Sequence, residues 1–145
     1  MKSIEFYFED IEPISFHEDF LKNQIENLVI NEKYELGELT IVYCSDEFLL
    51  NMNKQYLDHD YYTDIITFDY VEKNVISGDL FTSLDRVNEN AENYGISQLK
   101  ELYRVVLHGV LHLVGYKDKT DDEQEEMTKM EEFYLAKIDF KELKV

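Results

Sequence analysis

The chain carries one cysteine, Cys44, so no disulfide can form within it and packing must hold the fold. A lone thiol is also the usage of a reducing compartment, and the expected location is cytoplasmic. One proline, five glycines and no tryptophan leave no Pro/Gly-rich linker, repeat or low-complexity tract. No apolar run approaches the ~20 residues of a membrane-crossing helix. The opening MKSIEFYFED carries acids where a secretory signal needs a basic region, so no membrane partner is expected. Basic charge is scarce too: 14 Lys and Arg face 32 Asp and Glu, a formal charge of -18. That balance excludes a broad electrostatic grip on nucleic acid or on an anionic membrane.

What the chain does have is a core. Its 44% hydrophobic and 14% aromatic content rules out a disordered acidic tail. A chain of 145 residues can bury roughly two-thirds of its unfolded surface, and residues 1–145 read as a single domain. Ile4, Phe6 and Phe8 alternate as in a half-buried strand that Pro13 closes off. Phe16, Phe20, Leu21, Ile25, Leu28 and Val29 recur at helical spacing between Ser15 and about Asn31. GELTIVYC then places Leu39, Ile41 and Tyr43 on one strand face. Ser45 caps a helix running to about Leu57. Asp64–Tyr70 and Gly78–Thr82 read as two strands joined by a turn near Lys73 and Asn74. Helices follow from Ser83 to about Tyr94, Ser97 to about Val114 and Asp121 to about Ile138. This order predicts an α+β fold, a small mixed four-stranded sheet packed with about five helices.

The chemistry concentrates in His108-Gly-Val-Leu-His112-Leu-Val-Gly115-Tyr-Lys-Asp118. Histidines four apart stack on one helical face, where one metal ion can take both imidazoles. Gly115 lets the chain leave the helix and turn back, so that Asp118 can arrive as a third ligand. Two neutral nitrogens and a carboxylate leave an open position on a four-coordinate Zn²⁺, as in catalytic rather than structural zinc sites. Leu99, Leu102, Tyr103, Val106, Val110 and Leu113 share the opposite sector, so the histidines belong beside Glu101 and Arg104, facing a cleft. Zinc peptidases of the HExxH type need a Glu directly after the first His. Gly109 occupies that place and excludes such a peptidase.

The run HGVLHLVGYKD resembles the signature of the YbeY family, bacterial endoribonucleases also described as rRNA maturation factors. Asn53-Lys-Gln-Tyr56 followed by Thr63-Asp-Ile-Ile-Thr-Phe68 is similar to that family's N-x-x-Y and T-D-V-L-S-F segments, and Gly78-Asp79-Leu80 to its G-D-I strand. The resemblance spans about residues 45 to 128, with the motifs in family order. It implies a zincin-like metal-binding helix and a single-strand-specific, metal-dependent endoribonuclease. It further implies a role in processing the 3′ end of small-subunit rRNA and in ribosome quality control, with rRNA and the small ribosomal subunit as partners. By position, His108 and His112 match the first two metal ligands and the catalytic pair, and Asp118 stands where most members have a third His. Carboxylate oxygen binds Zn²⁺ at a distance similar to imidazole nitrogen, so the expected cofactor is one divalent ion, Zn²⁺. Where the family pattern has an Arg after N-x-x-Y, this chain has Leu57. His59, Lys54 and Arg104 are the candidates for its phosphate-engaging role.

Two alternatives to the nuclease reading stay open: a non-catalytic ribosome-assembly factor with a structural metal, and hydrolysis of another phosphoester or amide. Four lysines, Lys54, Lys73, Lys117 and Lys119, are expected to make a locally positive cleft on the acidic body. Asp64 is expected either to orient a histidine ligand from behind or to serve only turn chemistry. Cys44 reads as a small core residue and His17 as a surface residue. The acidic run Asp121–Glu126 reads as a helix N-terminal turn, followed by a packing stripe of Met127, Met130, Phe133 and Tyr134.

Overall fold

The computed structural model describes residues 2–59 and 61–143. Its elements run β1 (Ser3–Glu9), α1 (Glu18–Asn31), β2 (Glu35–Cys44), α2 (Asp46–Leu57), β3 (Ile65–Asp69), β4 (Val75–Ser83), α3 (Leu84–Tyr94), α4 (Gln98–Leu113) and α5 (Asp121–Leu135). The strands form one sheet in the order β1-β2-β4-β3. β1, β2 and β4 run parallel, and β3 pairs antiparallel with β4 at the edge. The α+β architecture, with a mixed four-stranded sheet and five helices, is the one the hydrophobic periodicity predicts.

Local chemistry sets the boundaries. Ser45, Ser83 and Ser97 accept hydrogen bonds through their hydroxyls from the backbone N–H of Phe48, Arg86 and Lys100 at 3.1–3.2 Å. Thr120 and Glu123 form a reciprocal capping box that starts α5. Such caps each stabilise a helix by about 1 kcal/mol. The acidic run Asp121–Glu126 follows that cap, where carboxylates complement the helix dipole. Three boundaries differ from the periodicity by three residues. α1 begins at Glu18 rather than near Ser15, because His17 adopts a left-handed conformation with φ 57. β4 begins at Val75, three residues before Gly78, since pairing with β2 continues through Val75 and Ile76. α5 stops at Leu135, short of Ile138.

Both faces of the sheet are covered. Leu39, Ile41, Tyr43 and Leu80 face the main core with Leu21, Ile25 and Leu28 of α1 and the apolar side of α4. Cys44 and Ile66 face a smaller cluster with Leu49 of α2. Burial of each large aliphatic side chain contributes about 1.5–3 kcal/mol, which is why β2 turns continuously apolar over residues 41–44, where both of its faces are covered. In the α5 stripe, Met127 and Tyr134 are buried, but Phe133 points outward, 47% exposed. No helix among the described residues is long and apolar enough to cross a membrane.

α4 is the element that places the candidate site. Its Leu99, Leu102, Tyr103, Val106, Val110 and Leu113 are all buried. At Gly109 it passes so close to the sheet that an added Cβ would lie 2.8 Å from Cδ1 of Ile65 and 3.1 Å from both methyls of Leu80. The position that denies this chain an HExxH glutamate therefore has no room for one.

Candidate metal centre

His108 and His112 lie one turn apart on α4, their rings 4.6 Å apart and nearly perpendicular. α4 ends at Leu113, and Gly115, at φ 109, reverses the chain and returns Asp118 toward the helix. Nε2 of His108 and Nε2 of His112 stand 3.1 Å apart. Oδ2 of Asp118 lies 3.2 Å from the first and 3.3 Å from the second. A tetrahedral ion with bonds of about 2.0–2.1 Å needs ligand atoms about 3.3–3.4 Å apart. The three donors already have nearly that spacing.

The proton positions reinforce the fit. Nδ1 of His112 donates to the carbonyl of Tyr116 at 3.0 Å, which leaves its Nε2 as a bare lone pair. Nδ1 of His108 donates to Oε2 of Glu131 at 2.5 Å, with the same consequence. Two lone pairs and a carboxylate oxygen thus converge, an arrangement that repels itself until a cation joins the three. His108, His112 and Asp118 are half-buried and form the group among the described residues that can hold a metal ion. Their donor set suits a borderline divalent ion such as zinc.

Glu131 is the residue that sequence reasoning missed. Only the packing of α5 against α4 brings it to His108, and nothing in its local sequence sets it apart from the neighbouring acids. Its Oε1 accepts from Nη1 of Arg104 at 3.0 Å. Arg104 in turn donates twice to the fully buried Glu101, at 2.6 and 2.7 Å. A chain Glu101–Arg104–Glu131–His108, with both glutamates buried, therefore backs the first histidine. Hydrogen bonding to Glu101 keeps the guanidinium charged despite its burial. Burial opposes charge on His108, yet the hydrogen bond and charge of Glu131, helped by Asp118 and Asp64, raise its pKa above the ordinary histidine value.

The donors open into a cleft of about 650 Å³ bounded by edge strand β3 and by the loops after α2 and α4. Lys117 and Lys119 line it; Lys54 and Lys73 do not, so only half of the expected basic set gathers there. Asp64 lies on the cleft wall, 3.8 Å from Arg104, while its carbonyl accepts from the hydroxyl of Thr82. Behind His108, the orienting position belongs to Glu131. Of the three candidates for the role of the Arg replaced by Leu57, Arg104 is committed to buried carboxylates and Lys54 lies outside the cleft lining. His59 lines the cleft. Cys44 is buried and donates to the carbonyl of Thr82, a core role.

Comparison with known proteins agrees with this geometry. A family model described as Endoribonuclease YbeY matches residues 7–139. Endoribonuclease YbeY of Parabacteroides distasonis is 45% identical over 134 residues, covering 92% of this chain and 94% of that protein. Endoribonuclease YbeY of Cytophaga hutchinsonii is 46% identical over 136 residues, covering 93% and 95%. The solution structure of TM1509 from Thermotoga maritima superposes with a TM-score of 0.67 at 28% identity, covering 92% of this chain and 87% of that one. The chain belongs to the YbeY endoribonuclease family.

Proposed function

We propose that this chain, acting as one domain over residues 1–145, is a single-strand-specific endoribonuclease that uses one Zn²⁺ ion. In this reading it processes the 3′ end of small-subunit rRNA in the cytoplasm and serves ribosome quality control, with the small ribosomal subunit as partner. The observation that carries it is the convergence of Nε2 of His108, Nε2 of His112 and Oδ2 of Asp118 at 3.1–3.3 Å on the floor of an open cleft.

His108 and His112 act in the tautomer that presents Nε2, held there by Glu131 and by the Tyr116 carbonyl. Asp118 adds one negative charge, so a divalent ion retains a net +1, enough to draw a phosphodiester into an otherwise acidic protein. A bound ion supplies Lewis-acid polarisation of a phosphoryl oxygen and stabilises charge that develops there. Lys117 and Lys119 flank the donors and hold the neighbouring phosphates. A structural metal, the basis of the assembly-factor alternative, is normally enclosed by four protein ligands. Here the three donor side chains remain 18%, 27% and 38% exposed toward the cleft, which favours the catalytic reading.

The test compares the wild type with His112→Ala, purified identically, on a labelled single-stranded rRNA fragment, with equal folding verified by circular dichroism. Cleavage should disappear with the imidazole. Equal cleavage by both proteins overturns the proposal.

A further inference from the structure

Two rings that line the metal cleft stand in the open. His59 and Tyr61 are stacked with centroids 5.1 Å apart and planes inclined by 21°, and both line the metal cleft. The hydroxyl of Tyr61 lies 3.0 Å from Nδ1 of His59 and ties the two rings together. Tyr61 is nevertheless 56% exposed, so it adds little to the core. The backbone beneath is anchored. Asn53, only 2% exposed, donates through Nδ2 to the carbonyl of Tyr61 at 2.9 Å. Its own carbonyl accepts from the N–H of His59 at 3.0 Å. Asp58, at φ 55, turns the chain out of α2 and toward the cleft. The neighbouring Tyr62 differs, because its hydroxyl is bound to Glu47 and its ring faces Arg86.

An exposed aromatic pair fixed from behind by a buried amide is built to offer ring faces. In this cleft the matching ligand is another flat ring. With a chain charge of -18, phosphate contacts alone give RNA a poor hold, and uncharged contacts must supply the rest. Stacking on aromatic side chains does so without sequence preference. It also selects unpaired bases, since a base in a duplex has both faces covered.

We propose that His59 and Tyr61 form a nucleobase-stacking subsite beside the metal centre, which grips one unpaired base of the RNA and positions the adjoining phosphodiester at His108, His112 and Asp118. This rests on the reading of the cleft as an RNA-cleaving site. The subsite gives position 59 a substrate-holding role by ring contact, where Leu57 offers no phosphate contact.

The experiment titrates a single-stranded oligoribonucleotide, carrying a fluorescent adenine analogue at successive positions, with wild type, Tyr61→Ala, His59→Ala, Tyr61→Phe and Tyr94→Ala, and measures KM and kcat for its cleavage. Wild type should quench the analogue at one position. Tyr61→Ala should lose that quenching, bind about 5- to 150-fold more weakly and lower kcat/KM by at least a similar factor. Tyr61→Phe, which keeps the ring, should retain most of the affinity. Tyr94→Ala, an exposed ring at the end of α3 and outside the cleft, should behave as wild type. An oligonucleotide abasic at the quenched position makes the same test on unaltered protein and should bind as weakly as Tyr61→Ala. If both alanine variants and the abasic probe bind as tightly as the parent pair while cleavage continues, the stacking subsite is refuted and the nuclease reading stands. Tyr61-dependent quenching without cleavage would support the subsite and sink the nuclease reading. Absence of both quenching and cleavage in the wild type overturns both.

Discussion

Glu131→Gln is the substitution that most directly probes the backing of the candidate metal centre. The carboxylate has two jobs: one oxygen takes the proton-bearing Nδ1 of His108 at 2.5 Å, the other takes Nη1 of Arg104 at 3.0 Å. A glutamine of the same size has one oxygen and one NH₂, so it can do only one of them. Arg104 is a permanent cation with donors only, and it captures the oxygen. The NH₂ then meets Nδ1 of His108, which must give up its proton and accept. The ring proton moves to Nε2, the atom that has to be bare for a metal. Loss of such an orienting carboxylate typically weakens metal binding about 10- to 100-fold, or about 1.4–2.7 kcal/mol. The fold itself should survive, because Arg104 keeps the two hydrogen bonds it donates to Glu101. Competitive Zn²⁺ titration against a chelating dye measures the affinity, and nitrogen NMR of the imidazoles reads the tautomer. Unchanged affinity with Nε2 of His108 still unprotonated would refute the reasoning.

Three further outcomes follow from the same structure. Gly109→Ala must displace Ile65 and Leu80, an overpacking of about 1–3 kcal/mol set against about 1 kcal/mol of helix propensity. The net is a loss of up to about 2 kcal/mol, so its urea midpoint should not rise, and a higher one would contradict the close crossing of α4 over the sheet. Zn²⁺ at a hundred times its dissociation constant should add about 2.7 kcal/mol to the stability of the metal-stripped protein. For a chain of this size that is about 5–10 °C in thermal midpoint. His112→Ala should show no such rise, and a rise equal to that of the wild type would place the ion elsewhere. Burial, with Asp46 and Asp85 nearby, pushes the Cys44 thiol up to about 12, and burial with the Glu32 hydrogen bond pushes Tyr116 to about 12. Both folded values exceed the unfolded ones, so the folded state holds these protons while the unfolded chain releases them. Their stabilisation is complete below about pH 9 and is lost as pH rises toward 12. Unfolding titrations across that window should show declining stability, with Cys44 unreactive to thiol reagents in the native protein at pH 8. Constant stability or rapid labelling would contradict the burial.

Much of this molecule is readable without coordinates, because the relevant physics is local. Ser45, Ser83 and Ser97 announce helix starts through bonds that close within three residues. The pairing of His108 with His112 follows from the pitch of one helix, and the return of Asp118 from a glycine three residues after the second histidine. What lies beyond reach is whatever depends on one element meeting another. Asp64 stands next to a strand in the sequence and invites an orienting role, yet the carboxylate that reaches His108 is Glu131, on a helix 23 positions further along. Arg104 reads as a cation free for phosphate until tertiary packing seals it between Glu101 and Glu131. Lys54 and Lys73 read as parts of a basic cleft, while the loops bring only Lys117 and Lys119 to it. The sequence by itself determined the element types, the apolar face of α4 and the convergence of His108, His112 and Asp118 as a candidate donor set, since each rests on spacing along one short stretch of chain. Tertiary structure alone decided which charges back those donors, which remain free for a ligand and which rings flank the cleft, because such choices are settled by distances between residues that no local periodicity links.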